Sequence, residues 1–178
     1  VKQGEKKGFV FEMVNTKSLF DEFSHFAIDA KIQHGEIRKL NRHFFNNLWK
    51  LGFGNQFYKV FLAKKDNEIL SAVDLLIFND IAIQVGVINS PNKKYSAGSF
   101  LTWNVIKWAN ENNLSMFDFG GANPFPKTNK EKQIDFYKSK WNNQKLDYFF
   151  VTKYVCRNKI RASSVLKKTD RFTNKILK

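Results

Sequence analysis

The sequence predicts an α+β (mixed α/β) fold, a central, mostly antiparallel sheet flanked by helices. Three observations carry this. Three β-rich runs, 57–63, 69–78 and 81–88, follow one another with only short polar links, and such spacing makes an antiparallel meander. Helical patterns lie on both sides of the meander, two before it and one directly after. That last helix leads into a short apolar strand at 116–119, and a strand–helix–strand crossover makes its two strands parallel neighbours. With 178 residues, 43% of them hydrophobic and 26% charged, the chain is globular, and 19 Phe supply much of its core. The expected organisation is a single domain over 1–156 and a basic, helical tail over 157–178.

The elements follow in order. Residues 9–14 (FVFEMV) form a short strand after a charged, Gly-containing lead. From Leu19 to about Ile32, apolar positions recur at spacings of three and four, with Ser18 as N-cap and Asp21 three residues on. After Gly35, residues 38–51 form a second helix with Leu40, Phe44, Leu48 and Leu51 on one side and Gly52 beyond its end. In the meander, 64–67 (KKDN) and Asn79-Asp80 are the turns. Asp74 sits in the mostly apolar second run; it reads as a polar outward face, with a substrate contact as the alternative. A loop at 89–99 (NSPNKKYSAGS) joins the meander to a helix over 100–112, striped by Leu101, Val105 and Trp108. After the 116–119 strand come Gly120-Gly121, a loop with Pro124 and Pro126, and a helical segment ending in Tyr137-Lys138 and Trp141. Asn142-Asn143 turns the chain into a final strand at 146–155.

The net charge of +14 points to an anionic partner: nucleic acid, an acidic lipid surface or a phosphate-rich ligand. Half of that excess lies in residues 157–178, with eight Lys or Arg against one Asp. This tail fits contact with an anionic membrane or RNA, a solvated terminal helix, or packing on a further domain. Cys156 is the only cysteine, which excludes an intramolecular disulfide. No apolar run approaches the roughly 20 residues that span a bilayer, and no secretory signal is visible. The expected location is cytoplasmic, peripheral at the inner membrane face where the tail engages. The chain begins at Val1 and reads as a piece of something longer. His25, His34 and His43 have no metal-ligand spacing, so no metal is expected.

Two stretches carry candidate chemistry. Asp118 stands at the mouth of a buried strand, followed by two glycines whose bare backbone lets a ligand approach and presents N–H groups to it. Ser96, Gly98 and Ser99 open the 100–112 helix, with Lys93 and Lys94 just upstream. A small-residue loop at a helix N-terminus suits phosphates.

The order of elements resembles the Gcn5-related N-acetyltransferase (GNAT) fold. Residues 57–155 are similar to its FemAB-like branch, the Fem peptidoglycan aminoacyltransferases and their single-chain acyltransferase relatives. The matching features are Tyr95-Ser96-Ala97-Gly98 before a helix, Asp118-Phe119-Gly120-Gly121, and Ile134-Asp135-Phe136-Tyr137-Lys138 leading to Trp141. Tyr137-Lys138 replaces the branch's Phe-Lys, Asn142-Asn143 its glycine pair, and Lys94, Ala97 and Ser99 a fuller phosphate loop. The resemblance implies an acyltransferase that moves an acyl or aminoacyl group from acyl-CoA or aminoacyl-tRNA to an amine on a cell-envelope precursor, with no tightly bound cofactor. It implies Lys138 at the reacting carbonyl or a donor phosphate, and Asp118 accepting the proton or holding the amine. Lys93, Lys94, Ser96, Ala97, Gly98 and Ser99 would hold the donor; Gly120, Gly121, Tyr137 and, in its alternative reading, Asp74 would face substrate. The competing function is a non-catalytic GNAT-like module that binds nucleic acid or membrane through its tail.

Overall fold

The computed structural model describes residues 2–33, 42–91, 97–121, 123 and 125–141. The chain divides into two compact units, Val1–Lys138 and Ser139–Lys178, and the sheet and its helices belong to the first. The expected 146–155 strand, the basic tail, Cys156, His34, Leu40, Lys93, Lys94, Tyr95 and Ser96 lie outside the described residues.

Short polar links build the sheet, as their composition predicts. Its strands are β1 (Val10–Met13), β2 (Tyr58–Lys65), β3 (Glu68–Phe78), β4 (Ile81–Asn89) and β5 (Met116–Asp118), side by side in chain order. The first four are antiparallel, and β5 lies parallel to β4. Between β2 and β3, Asp66 and Asn67 both take left-handed φ, 51° and 64°, the conformation a two-residue type I′ hairpin requires. Asn79 does the same at φ 53° between β3 and β4.

The helices are α1 (Lys2–Lys6), α2 (Lys17–Gln33), α3 (Arg42–Leu48), α4 (Gly98–Glu111) and α5 (Asn129–Ser139). Three expectations change. The charged lead is helical. The cap of α2 is Thr16 rather than Ser18, because Thr16 Oγ1 accepts the Leu19 N–H at 3.2 Å. The second helix runs into a π-helical turn, Trp49–Phe53, in which Gly54 N–H reaches back to Trp49 O. Gly52, expected beyond the helix, is buried inside this turn. Packing decides that outcome: Trp49 and Phe53 stack at 4.7 Å, and both rings lie against Phe20.

The pleat sorts the core onto two faces. Phe61, Val73, Leu75 and Ala82 meet Leu101 and Val105 of α4 on one. On the other, Val60, Leu62 and Ala72 meet Phe20, Phe23, Ala27 and Phe45 of α2 and α3. Each fully buried side chain of this size contributes about 1.5–3 kcal/mol. Two irregularities of the sheet position the candidate sites. β5 pairs with β4 only from Ile81↔Met116 to Ile83↔Asp118, while β4 continues to Asn89. Asp74 of β3 opposes Gly86, yet Leu75 opposes Gln84, which leaves Val85 as a β-bulge in β4.

Candidate functional site

Where β5 stops, the backbone leaves β4 in a tight turn. Asp118 Oδ1 accepts the N–H of Gly120 at 2.7 Å, an Asx-type turn. Gly120 has φ +73°, and a Cβ there would stand 3.1 Å from Gln84 O. Lys138 reaches the same turn from α5, donating to Gly120 O at 3.2 Å and Gly121 O at 2.7 Å. Burial lowers the Lys138 ammonium below the ordinary lysine value, against the opposing pull of Asp118 and Asp135. Asp118, Gly120, Gly121 and Lys138 therefore meet in one half-buried turn at the point where β4 and β5 part. Gln84, whose main-chain O approaches Gly120, has its side-chain Oε1 buried without a hydrogen-bond partner among the described residues.

The N-terminus of α4 stands at the far end of β4. Ala97 is its N-cap, without a side-chain capping bond, and Gly98 and Ser99 open the first turn. The first N–H groups of a helix have no intrahelical partner, so an uncapped start receives anions. Tyr137, expected to face substrate, hydrogen-bonds the buried Thr102 of α4 at 2.7 Å and joins α5 to α4. Thr128 and Glu131 make a capping box at the start of α5: Thr128 Oγ1 accepts the Glu131 N–H, and Glu131 Oε2 accepts the Thr128 and Lys127 N–H groups. These donors hold the Glu131 carboxyl below the usual carboxylate range.

Asp74 does not face outward. It lies on the α2/α3 side of the sheet, where Tyr58 Oη donates to its Oδ2 at 2.8 Å. A Cβ on Gly86 would stand 2.6 Å from Asp74 Oδ1, so a side chain there would displace that carboxylate. Burial raises the Asp74 pKa, while the Tyr58 hydroxyl, the Gly86 N–H and the charge of Lys31 oppose it. Burial, then the charge of Asp74, push the Tyr58 phenol well above its ordinary value, so it stays a donor. A pocket of about 350 Å³ opens over this pair, walled by Phe23, Phe44, Phe45 and Leu48 and edged by Val85 and Gly86.

The mixed sheet thus ends its parallel pair early at β5, and an uncapped helix start stands at the far end of β4. Residues 2–139 match the acetyltransferase (GNAT) domain family. The chain belongs to the GNAT acetyltransferase family. Solved structures share its fold. One is an aminoglycoside acetyltransferase from an uncultured soil metagenomic sample in complex with sisomicin (15% identity, TM-score 0.62, covering 83% of this chain and 99% of that one). Another is AAC(6')-Iy in complex with a bisubstrate analogue, CoA-S-monomethyl-acetylneamine (11%, 0.59, 82% and 98%). A third is the ribosomal-protein-alanine N-acetyltransferase of Brucella melitensis (8%, 0.58, 82% and 99%). No curated protein matches the sequence.

In this GNAT acetyltransferase, sequence reasoning placed the 118–121 turn and Lys138 but passed over Tyr58, Gln84 and Gly86. Tyr58 had no signal, because its partner is 16 residues away. Gly86 had one: an isolated glycine inside a strand pattern marks a bulge or a close approach. Among the described residues no group of His, Cys, Asp and Glu could hold a metal ion, and no helix is long and apolar enough to cross a membrane.

Proposed function

We propose that this acetyltransferase moves an acyl group from an acyl-CoA to a primary amine, with the donor along the 84–89 edge of β4 and its phosphates at Ala97, Gly98 and Ser99. The observation that supports this is the early end of β5. Past Ile83↔Asp118 no described strand pairs with that edge of β4, so its main chain is open to an extended amide-bearing donor ending at the uncapped start of α4. Lys93, Lys94 and Ser96 complete the phosphate end in this reading. Lys138 fixes the carbonyls of Gly120 and Gly121 and supplies positive charge where the tetrahedral oxyanion develops; Asp118 sets the turn that carries them. The likeness of 118–121 and 134–138 to the FemAB-like branch supports aminoacyl-tRNA as the second donor and a cell-envelope amine as acceptor. The basic balance of the tail supports contact with RNA or an anionic membrane face, and a cytoplasmic location goes with that reading.

Calorimetry with coenzyme A, acetyl-CoA and an aminoacyl-tRNA tests the donor. Acetyl-CoA is expected to bind, and binding of the tRNA alone would overturn the acyl-CoA reading. Lys138→Ala is expected to lower the rate roughly 10²-fold, the loss typical of one oxyanion donor. An unchanged rate would remove Lys138 from the chemistry.

A further inference from the structure

We propose that the pocket between α2, α3 and the β4 bulge takes the acceptor, and that the acceptor is a primary monoamine on an apolar, ring-sized body. This rests on the acyl-transfer reading under Proposed function and names its second substrate.

Volume comes first. The pocket holds about 350 Å³, and a cavity of about 150 Å³ already accommodates benzene. A ring with a short aminoalkyl arm therefore fits. The walls come second. Phe23, Phe44, Phe45, Leu48 and Leu76 supply apolar surface from three elements. Apolar side chains also edge the described rim, where Phe44 is 49% exposed and Val85 55%.

Charge comes third. Among the described lining residues Asp74 is the only carboxylate, and Lys31 stands in the wall beside it. This half-buried carboxylate is held by Tyr58 at 2.8 Å and already faces the charge of Lys31, which leaves room for one further ammonium at most. A polycation would need several acids and would meet Lys31 and a chain of net charge +14. The acidic side chains of Glu22, Asp29 and Glu68 line a different, open groove. Glu68 and Asp74 are six residues apart on β3, which is about 20 Å along a strand.

Position comes last. Gly86, whose Cα faces the Asp74 carboxylate, and Val85 belong to the strand whose other edge is open beyond β5. An amine at Asp74 thus lies across one strand from the proposed donor. The ammonium passes a proton to the Asp74 carboxylate. The neutral nitrogen bonds to the acyl carbonyl carbon, the C–S bond breaks, and the departing thiolate takes the second amine proton. Asp74 then returns its proton to water. Burial raises the Asp74 pKa, which brings this base nearer to working pH.

The test uses the full chain with acetyl-CoA and a panel of phenethylamine, cyclohexylmethylamine and spermidine. The two ring amines are expected to be acetylated with kcat/KM at least tenfold above spermidine. Asp74→Asn is expected to lower that value at least a hundredfold with acetyl-CoA binding and Tm preserved. Phe44→Ala is expected to act mainly on KM. Preference for spermidine, an unaffected Asp74→Asn variant, or acetyl-CoA binding with no amine turned over would each overturn the acceptor assignment and leave the donor site standing. Failure to bind acetyl-CoA at all would instead overturn the acyl-CoA reading on which it rests.

Discussion

Asp74 combines a raised pKa with a fixed donor, and the two act in opposite directions on stability and on activity. Burial disfavours its charged form, so the folded chain binds more protons than the unfolded one between the ordinary value of 3.8 and the higher folded value. Stability from this residue is therefore greatest at low pH and falls as pH rises through that window. Asparagine keeps an oxygen for Tyr58 and has no charge to bury. Asp74→Asn is expected to leave Tm at pH 7 unchanged or higher and to flatten its pH dependence in the acid range, as differential scanning calorimetry would show. Catalysis runs the other way: kcat/KM of the wild type should rise with pH through the folded Asp74 value, and this limb should vanish in Asp74→Asn. Gly120 is the other decisive residue. A side chain at φ +73°, 3.1 Å from Gln84 O, costs about 1–2 kcal/mol from backbone strain alone. Gly120→Ala should lower the urea midpoint accordingly, whereas Gly121→Ala, with nothing within 4 Å, should not.

At the scale of elements, α5 depends on polar bonds at its two ends. It spans Asn129–Ser139 with no buried residue, and so short a helix is marginal by itself. The Thr128–Glu131 capping box, the Tyr137–Thr102 bond and the Lys138 clamp hold it. Thr128→Ala is expected to cost about 1 kcal/mol, to speed hydrogen exchange through α5, and to lower turnover by loosening Lys138. Protection unchanged at α5 would show that the cap is dispensable. This helix was legible in the sequence, as were the meander and its turns, because its cap and each turn are set by residues within four positions; the Tyr137 and Lys138 contacts that anchor it were not. The π-helical turn was not, since Phe20 reaches Trp49 and Phe53 from 29 and 33 residues away.

The first unit carries two cores on the two faces of one sheet, and the proposed acceptor pocket is cut into the α2/α3 core. Phe20, fully buried, touches the rings of Phe23, Phe45, Trp49 and Phe53, and two of these wall the pocket. Phe20→Ala is expected to cost about 3–5 kcal/mol and to weaken acceptor binding more than donor binding, as paired thermal-shift titrations would register. The sequence by itself determined the α+β class, the order of β2 to β5, the parallel crossover and the Asp118–Gly121 turn, because hydrophobic period and turn chemistry are local; the place of β1 beside β2 was left to the tertiary structure. It also brought Lys138 into the right helix. Tertiary structure alone decided that Asp74 faces inward. A period-two pattern gives each residue a face, but the bulge at Val85 and the helices packed on that side decide which face is filled and which is left as a pocket.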